Sequence, residues 1–173
     1  MTRIVLFDLG DTLEHNDVLR EDALETLNRI KSMENTPILG LASDFGKRDD
    51  WGPPPPEEQI KRSQQQYYSI LSDLQIAHFF DPLRKKVTLS TEVGNTKSED
   101  IQKFFQTAIN KLSNTSFNEI IFITEFKPHI DSANNLGMKT IFLNLDGIPT
   151  NPNQLTITNL TEVIDIIKDL IRQ

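Results

Sequence analysis

Residues Ile4-Val5-Leu6-Phe7 run without a polar break into Asp8, and a short polar turn, Leu9-Gly10-Asp11-Thr12-Leu13, follows at once. Side chains of a strand point alternately to opposite faces, so consecutive apolar positions require a strand covered on both sides. A carboxylate at the end of such a strand stands at the rim of a covered sheet, where polar groups gather. The opening segment therefore constrains the chain to a sheet sandwiched between helices, with a polar site at one end.

The remainder repeats that design. Short apolar runs alternate with helical patterns, which is the signature of parallel α/β units. Strands are predicted at 3–7, 37–42, 86–90, 119–124 and 139–143, with a short sixth candidate at 155–158. A helix is expected over 18–33, with Leu24, Leu27 and Ile30 on one face, and another over 57–74, with Ile60, Tyr67, Ile70, Leu71 and Leu74. The clearest helical spacing is in 98–112, where Ile101, Phe104, Phe105, Ala108, Ile109 and Leu112 recur at i, i+3, i+4 and i+7. Ser98 is its expected N-cap, with Glu99 and Asp100 in the first turn. A short helix over 129–136 is closed by Gly137. Asn159 and Glu162 form a capping-box pattern ahead of a last helix striped by Val163, Ile164, Ile167, Leu170 and Ile171. Between Asp44 and Pro56 the chain is polar and holds Trp51-Gly52-Pro53-Pro54-Pro55-Pro56, a stiff loop that cannot be helical. Pro55 or Pro56 is expected to open the next helix. The loop leaves the second strand near the strand ends and could act as a partial lid or as a ligand for a proline-binding module.

These elements predict one α/β domain over 1–173, a Rossmann-like, doubly wound, mostly parallel five-stranded sheet flanked by helices. Ligands of such sheets bind beyond the carboxyl ends of the strands, at the point where strand order reverses. The polar residues just after the strands are Asp8, Ser43-Asp44, Lys97 before its helix, and Thr124-Glu125.

Charge narrows the partners. The net charge is −7. A nucleic acid or an anionic membrane needs a basic face, so neither is expected. A phosphate ester would need local cations or a metal. With no cysteine there is no disulfide framework and no thiolate ligand or nucleophile. The N-terminus lacks a signal-peptide pattern and no apolar run approaches a membrane span, so a soluble, cytoplasmic protein is expected. The oligomeric state is not readable.

Asp8, Ser43, Lys97 and Glu125 stand in the order of the four motifs of the haloacid dehalogenase (HAD) superfamily, which the chain resembles over almost its whole length. Ala77-His78-Phe79-Phe80-Asp81-Pro82, the Glu92-Val93-Gly94 turn and Lys97 resemble the approach to that family's motif lysine, and Leu136-Gly137-Met138-Lys139 the turn after its fourth motif. The resemblance implies a HAD core with an Asp8 nucleophile, a Ser43 hydroxyl on the transferring phosphoryl group, and a Lys97 charge on both. It also implies Mg2+ on Asp8, the Gly10 carbonyl and Glu125. The chain departs from the pattern at four positions. Gly10 stands where the phosphatases carry a second Asp, the general acid–base. Asp11, Glu14 and His15 are the candidate substitute acids, and Asp11 also reads as a turn residue. Ser98 replaces the proline after the lysine. The fourth motif reads Thr124-Glu125, with His129 near the place of its second acid and Asp131 beyond. Too few residues lie between the motifs for a large cap. The implied function is a weak or atypical Mg-dependent phosphatase acting on a phosphorylated small molecule or protein. The alternative is a catalytically impaired scaffold kept for binding or regulation, and carbon–halogen cleavage ranks last.

Overall fold

The computed structural model describes residues 4–46, 56–81, 83–113 and 115–172. Strand β1 (Ile4–Phe7) leads into a hairpin of β2 (Glu14–His15) and β3 (Val18–Leu19), then helix α1 (Ala23–Lys31) and strand β4 (Ile38–Ser43). Helices α2 (Pro56–Asp73) and α3 (Leu83–Lys86), strand β5 (Val87–Leu89) and helices α4 (Ser90–Val93) and α5 (Ile101–Leu112) follow. Strand β6 (Ile120–Thr124), helix α6 (Lys127–Asn135), strands β7 (Lys139–Leu143) and β8 (Leu155–Ile157) and helix α7 (Val163–Arg172) complete the described chain.

The main sheet has six strands in the order β5-β4-β1-β6-β7-β8, and every pair is parallel. The chain builds outward from β1 through β4 to β5, then returns to the other side of β1 and builds outward again. The reversal falls between β1 and β6, and opens a crevice at their carboxyl ends. Asp8 and Glu125 each lie one residue past those strands, on either side of it.

Strand β1 shows why its four apolar residues are needed. Val5 and Phe7 face a core layer completed by α1, α2 and α7, with Leu27, Ile30, Tyr67, Leu71 and Ile167 among its members. Ile4 and Leu6 face the opposite layer, built with Phe104, Phe105, Ala108 and Ala133 of α5 and α6. All four strand residues are fully buried.

The structure corrects the sequence reading in four places. The sheet has six strands, not five, because Leu155–Ile157 pairs in register with Ile141–Leu143. The helix expected over 18–33 is shorter. Asn16 and Asp17 take left-handed conformations (φ 54° and 62°) and reverse the chain into the β2–β3 hairpin, so α1 starts only at Ala23. Leu24, placed on its apolar face, is 37% exposed, whereas Leu27 and Ile30 are buried. The helix expected from Ser98 starts at Ile101, and its cap is Asp100, whose carboxylate accepts from the Lys103 amide at 3.0 Å. The helix expected over 129–136 spans Lys127–Asn135, with Pro128 in its first turn. Gly137 takes its expected left-handed conformation (φ 83°), and the Asn159–Glu162 capping box is present. The Trp51–Pro55 segment lies outside the described residues, and Pro56 opens α2.

Gly40 lets β4 sit close to its neighbours. A Cβ there would lie 2.7 Å from Leu6 Cδ2 and 3.1 Å from the Lys86 carbonyl. The Leu6 methyl could turn aside, but the backbone carbonyl cannot. Gly40→Ala should therefore cost about 1–3 kcal/mol, the usual penalty for overpacking. Urea denaturation checks this, and an unchanged midpoint would show that the layers are not so tightly fitted.

Candidate active site at the carboxyl ends of β1, β4 and β6

Asp8 is 8% exposed, and its backbone amide donates to the Ile123 carbonyl at 3.0 Å, so the last ladder bond of β1 fixes its position. Its Oδ1 accepts from the Leu9 amide at 3.0 Å. Its Oδ2 accepts from Lys97 Nζ, and from Thr124 Oγ1 at 3.3 Å. Lys97 is almost wholly buried, and its ammonium also donates to the Ala42 carbonyl at 2.8 Å. The sequence reading of Lys97 and Asp8 as partners is thus a direct contact across 89 residues of chain.

Lys97 is aimed from two sides. Asp44, one residue past β4, accepts from the Lys97 backbone amide at 2.8 Å. Burial raises the Asp44 pKa above the ordinary carboxylate value, against the opposing pull of Lys97. Ser43 is the last residue of β4 and 8% exposed, in the strand next to β1. Beside it stands Tyr67 of α2, fully buried, its hydroxyl without a hydrogen-bond partner among the described residues. Burial drives the Tyr67 pKa upward and Ser43 moderates the shift. The tyrosine was legible in the sequence only as part of an apolar stripe.

Glu125 is coupled to the first loop. Its carboxylate accepts from Thr12 Oγ1 and competes with Asp8 for the single Thr124 hydroxyl proton, 3.3 Å from each, while its own amide donates to Thr12 Oγ1 at 3.3 Å. Burial raises its pKa, the Thr12 bond opposes this, and the neighbouring charge of Asp8 adds to it. Thr124 was read from the sequence only as a polar strand-end residue, and Thr12 was not singled out. They pin the loops after β1 and β6 to each other.

His129 of α6 stands beside Asp8, in the first turn after β6. Its Nδ1 lies 3.9 Å from Asp8 Oδ2 and has no hydrogen-bond partner among the described residues. Its Nε2 meets Ser98 Oγ at 3.1 Å, and the ring packs edge-on to Phe126. Burial, followed by the Lys97 charge, lowers its pKa from 6.5 to about 4, against the pull of Asp8. It is therefore neutral at physiological pH.

Gly10 is exposed, and a side chain added there would meet nothing within 4 Å. Asp11 turns outward. It has left-handed backbone (φ 56°) and its carboxylate meets His15 Nδ1 at 2.5 Å, with both side chains more than half exposed.

The oxygen-rich donor set suits a small hard cation. Asp8, Glu125 and the Gly10 carbonyl are all oxygen donors, and Lys97 is the cation that pairs with Asp8. Among the described residues no three His, Asp or Glu side chains form a ready-made cage. Magnesium does not require one, since it keeps several waters and uses one or two carboxylates.

No protein-family model and no curated protein matches the sequence. Solved structures do match. YfnB of Bacillus subtilis, assigned to the HAD-hydrolases and bound to magnesium, aligns with a TM-score of 0.62 and 17% identity over 86% of this chain and 56% of its own. A HAD phosphatase from Thermococcus onnurineus gives 0.61 and 18% over 86% and 58%. A HAD-superfamily hydrolase from Ehrlichia chaffeensis gives 0.67 and 15% over 99% of both chains. The chain therefore spans a little over half the length of the first two proteins. It has the haloacid dehalogenase-like fold. No helix among the described residues is long and apolar enough to cross a membrane.

The low pKa of His129 has a stability signature. A histidine depressed on folding contributes stability that is fully present above its unfolded pKa and is lost as pH falls through the folded one. Its contribution should fall between pH 6.5 and about 4, by up to about 3 kcal/mol at 1.36 kcal/mol per unit. Asp44 and Glu125, with raised pKa values, act in the opposite sense near the acid end. The difference in unfolding free energy between wild type and His129→Gln isolates the histidine. A pH-independent difference would show that His129 is not desolvated.

Proposed function

We propose that the protein is a HAD-like hydrolase that transfers a phosphoryl group to Asp8 and then to water. The single observation that carries this reading is the buried Lys97–Asp8 pair at the carboxyl end of the central strand. Oδ2 is held by Lys97 and Thr124, so Oδ1, with only the Leu9 amide on it, is the attacking atom. Oδ1 bonds to phosphorus, the ester P–O bond breaks, and the leaving oxygen takes a proton from water. A water molecule then cleaves the acyl phosphate and restores the carboxylate. Lys97 offsets charge on the transferring oxygens, and preorganised donors of this kind supply much of the acceleration in such sites. Ser43 donates to a phosphoryl oxygen. Magnesium, held by Asp8, Glu125 and the Gly10 carbonyl, would add further neutralisation of that charge when bound.

The acid–base step is the weak point. A positioned acid is typically worth about 10²–10⁴ in rate, and Gly10 has none to give. Asp11 is committed to His15 and faces away. The enzyme is therefore slow, and its substrates are phosphorylated small molecules or proteins that reach an open site. The second reading, a binding scaffold, draws on the same absence at Gly10 and on His129 in the fourth motif.

Restoring the acid tests the choice. The open space at Gly10 accommodates a carboxylate without a clash. Gly10→Asp should raise hydrolysis of p-nitrophenyl phosphate by about tenfold or more, toward the range of general acid catalysis, and Asp8→Asn should abolish it. If Gly10→Asp is as inert as Asp8→Asn, the scaffold reading takes its place.

A further inference from the structure

A cavity of about 510 Å³ opens past Glu125, between the hairpin and the loop after β7. That volume is within the range of small-molecule pockets. Arg20 supplies the single fixed cation on its wall. The Arg20 amide donates to the Leu13 carbonyl at 2.9 Å, which fixes the residue at the foot of the hairpin. It is half-buried, and its guanidinium has no hydrogen bond or ion pair with any described residue.

A guanidinium without a partner among the described residues stands out in a chain with 25 acidic and 18 basic residues. Two of the three carboxylates that line the cavity are already bonded, Asp146 being the third. Asp11 is taken by His15 at 2.5 Å, and Glu125 by Thr12 and Thr124. Lys97, the other cation of the site, is used by Asp8. Among the described residues of this wall, Arg20 is the cation with no anion bonded to it. The facing wall has a fixed shape, because Asn144 bonds the Ile148 carbonyl and amide, both at 2.8 Å, and so pins the loop. Leu145 and Ile148 present apolar surface on it, 43% and 42% exposed.

We infer that this cavity receives the leaving group of the phosphorylated substrate, and that Arg20 selects leaving groups carrying a second anion. A carboxylate matches its planar fork best. The inference rests on the phosphoryl-transfer reading for the position of the phosphate, but its test does not depend on turnover.

Non-hydrolysable phosphonates of graded length provide that test. Phosphonoacetate, 3-phosphonopropionate and 4-phosphonobutyrate are titrated calorimetrically against wild type with magnesium, beside methyl-, ethyl- and propylphosphonate and 2-aminoethylphosphonate. At least one carboxylated member should bind about tenfold or more tightly than its uncharged match, a difference of ~1.4 kcal/mol. Arg20→Ala should erase that preference and Arg20→Lys should keep part of it. The inference is overturned if no length shows a preference, if the preference survives in Arg20→Ala, or if the amino compound binds best, which would give the cavity to Asp146 and its neighbours. A carboxylate preference in a protein that hydrolyses no ester would leave the cavity assigned and remove the hydrolase reading. Hydrolysis without the preference would do the reverse.

Discussion

The ion pair between Lys97 and Asp8 is the interaction on which the rest of this architecture depends. Both charges are out of water, the lysine side chain 1% exposed and the aspartate 11%. Desolvating two ions costs several kcal/mol each, and losing one partner of such a pair typically costs about 3–5 kcal/mol. Stability alone would be served as well by two apolar side chains. What the pair provides is a carboxylate and an ammonium fixed in orientation before any ligand arrives. Three strands contribute to it: β1 delivers Asp8, the Ala42 carbonyl in β4 anchors the ammonium, and Thr124 of β6 bonds the same carboxylate oxygen.

Around that pair the site is under-neutralised. Glu125 and Asp44 are both pushed toward their protonated forms by burial, and the charge of Asp8 adds to each shift. His129 is pushed toward neutrality. Tyr67 and His129 account for two of the three buried side-chain polar atoms without a partner among the described residues, Thr26 being the third. Buried polar groups are ordinarily satisfied, so the unpartnered His129 Nδ1 beside Asp8 leaves a place for an occupant. A divalent cation and a phosphoryl group would answer the excess carboxylates, and phosphoryl oxygens could take up free donors.

Much of this was legible in the chain. The run Ile4–Phe7 required a covered strand, and the strand ends required a site, so Asp8, Lys97 and Glu125 emerged without coordinates. Their partners did not. Asp44 and Thr124 were visible as strand-end polar residues but not as partners, and Thr12 and Tyr67 not at all as site residues, because all four act through contacts between elements far apart in sequence. The hairpin was missed because Val18 and Leu19 continue an apolar pattern that fits a helix, while the reversal rests on the backbone of Asn16 and Asp17. Leu155–Ile157 was too short to weigh until its pairing with β7 was seen. Arg20 gave no signal, since an arginine becomes informative only when it is seen to line a cavity without a bonded partner. Asp11 showed the converse: it was offered as a substitute acid and also as a turn residue, and its left-handed backbone turns it to His15.

The central claim is that the Lys97–Asp8 pair is a phosphoryl-transfer site. The most direct measurement is calorimetric titration with beryllium trifluoride, an aspartyl-phosphate mimic, with and without magnesium, on wild type and on Asp8→Asn shown to be folded by circular dichroism. The account predicts magnesium-dependent binding to wild type that vanishes in the variant. Absence of binding to folded wild type, or equal binding to both proteins, would contradict it.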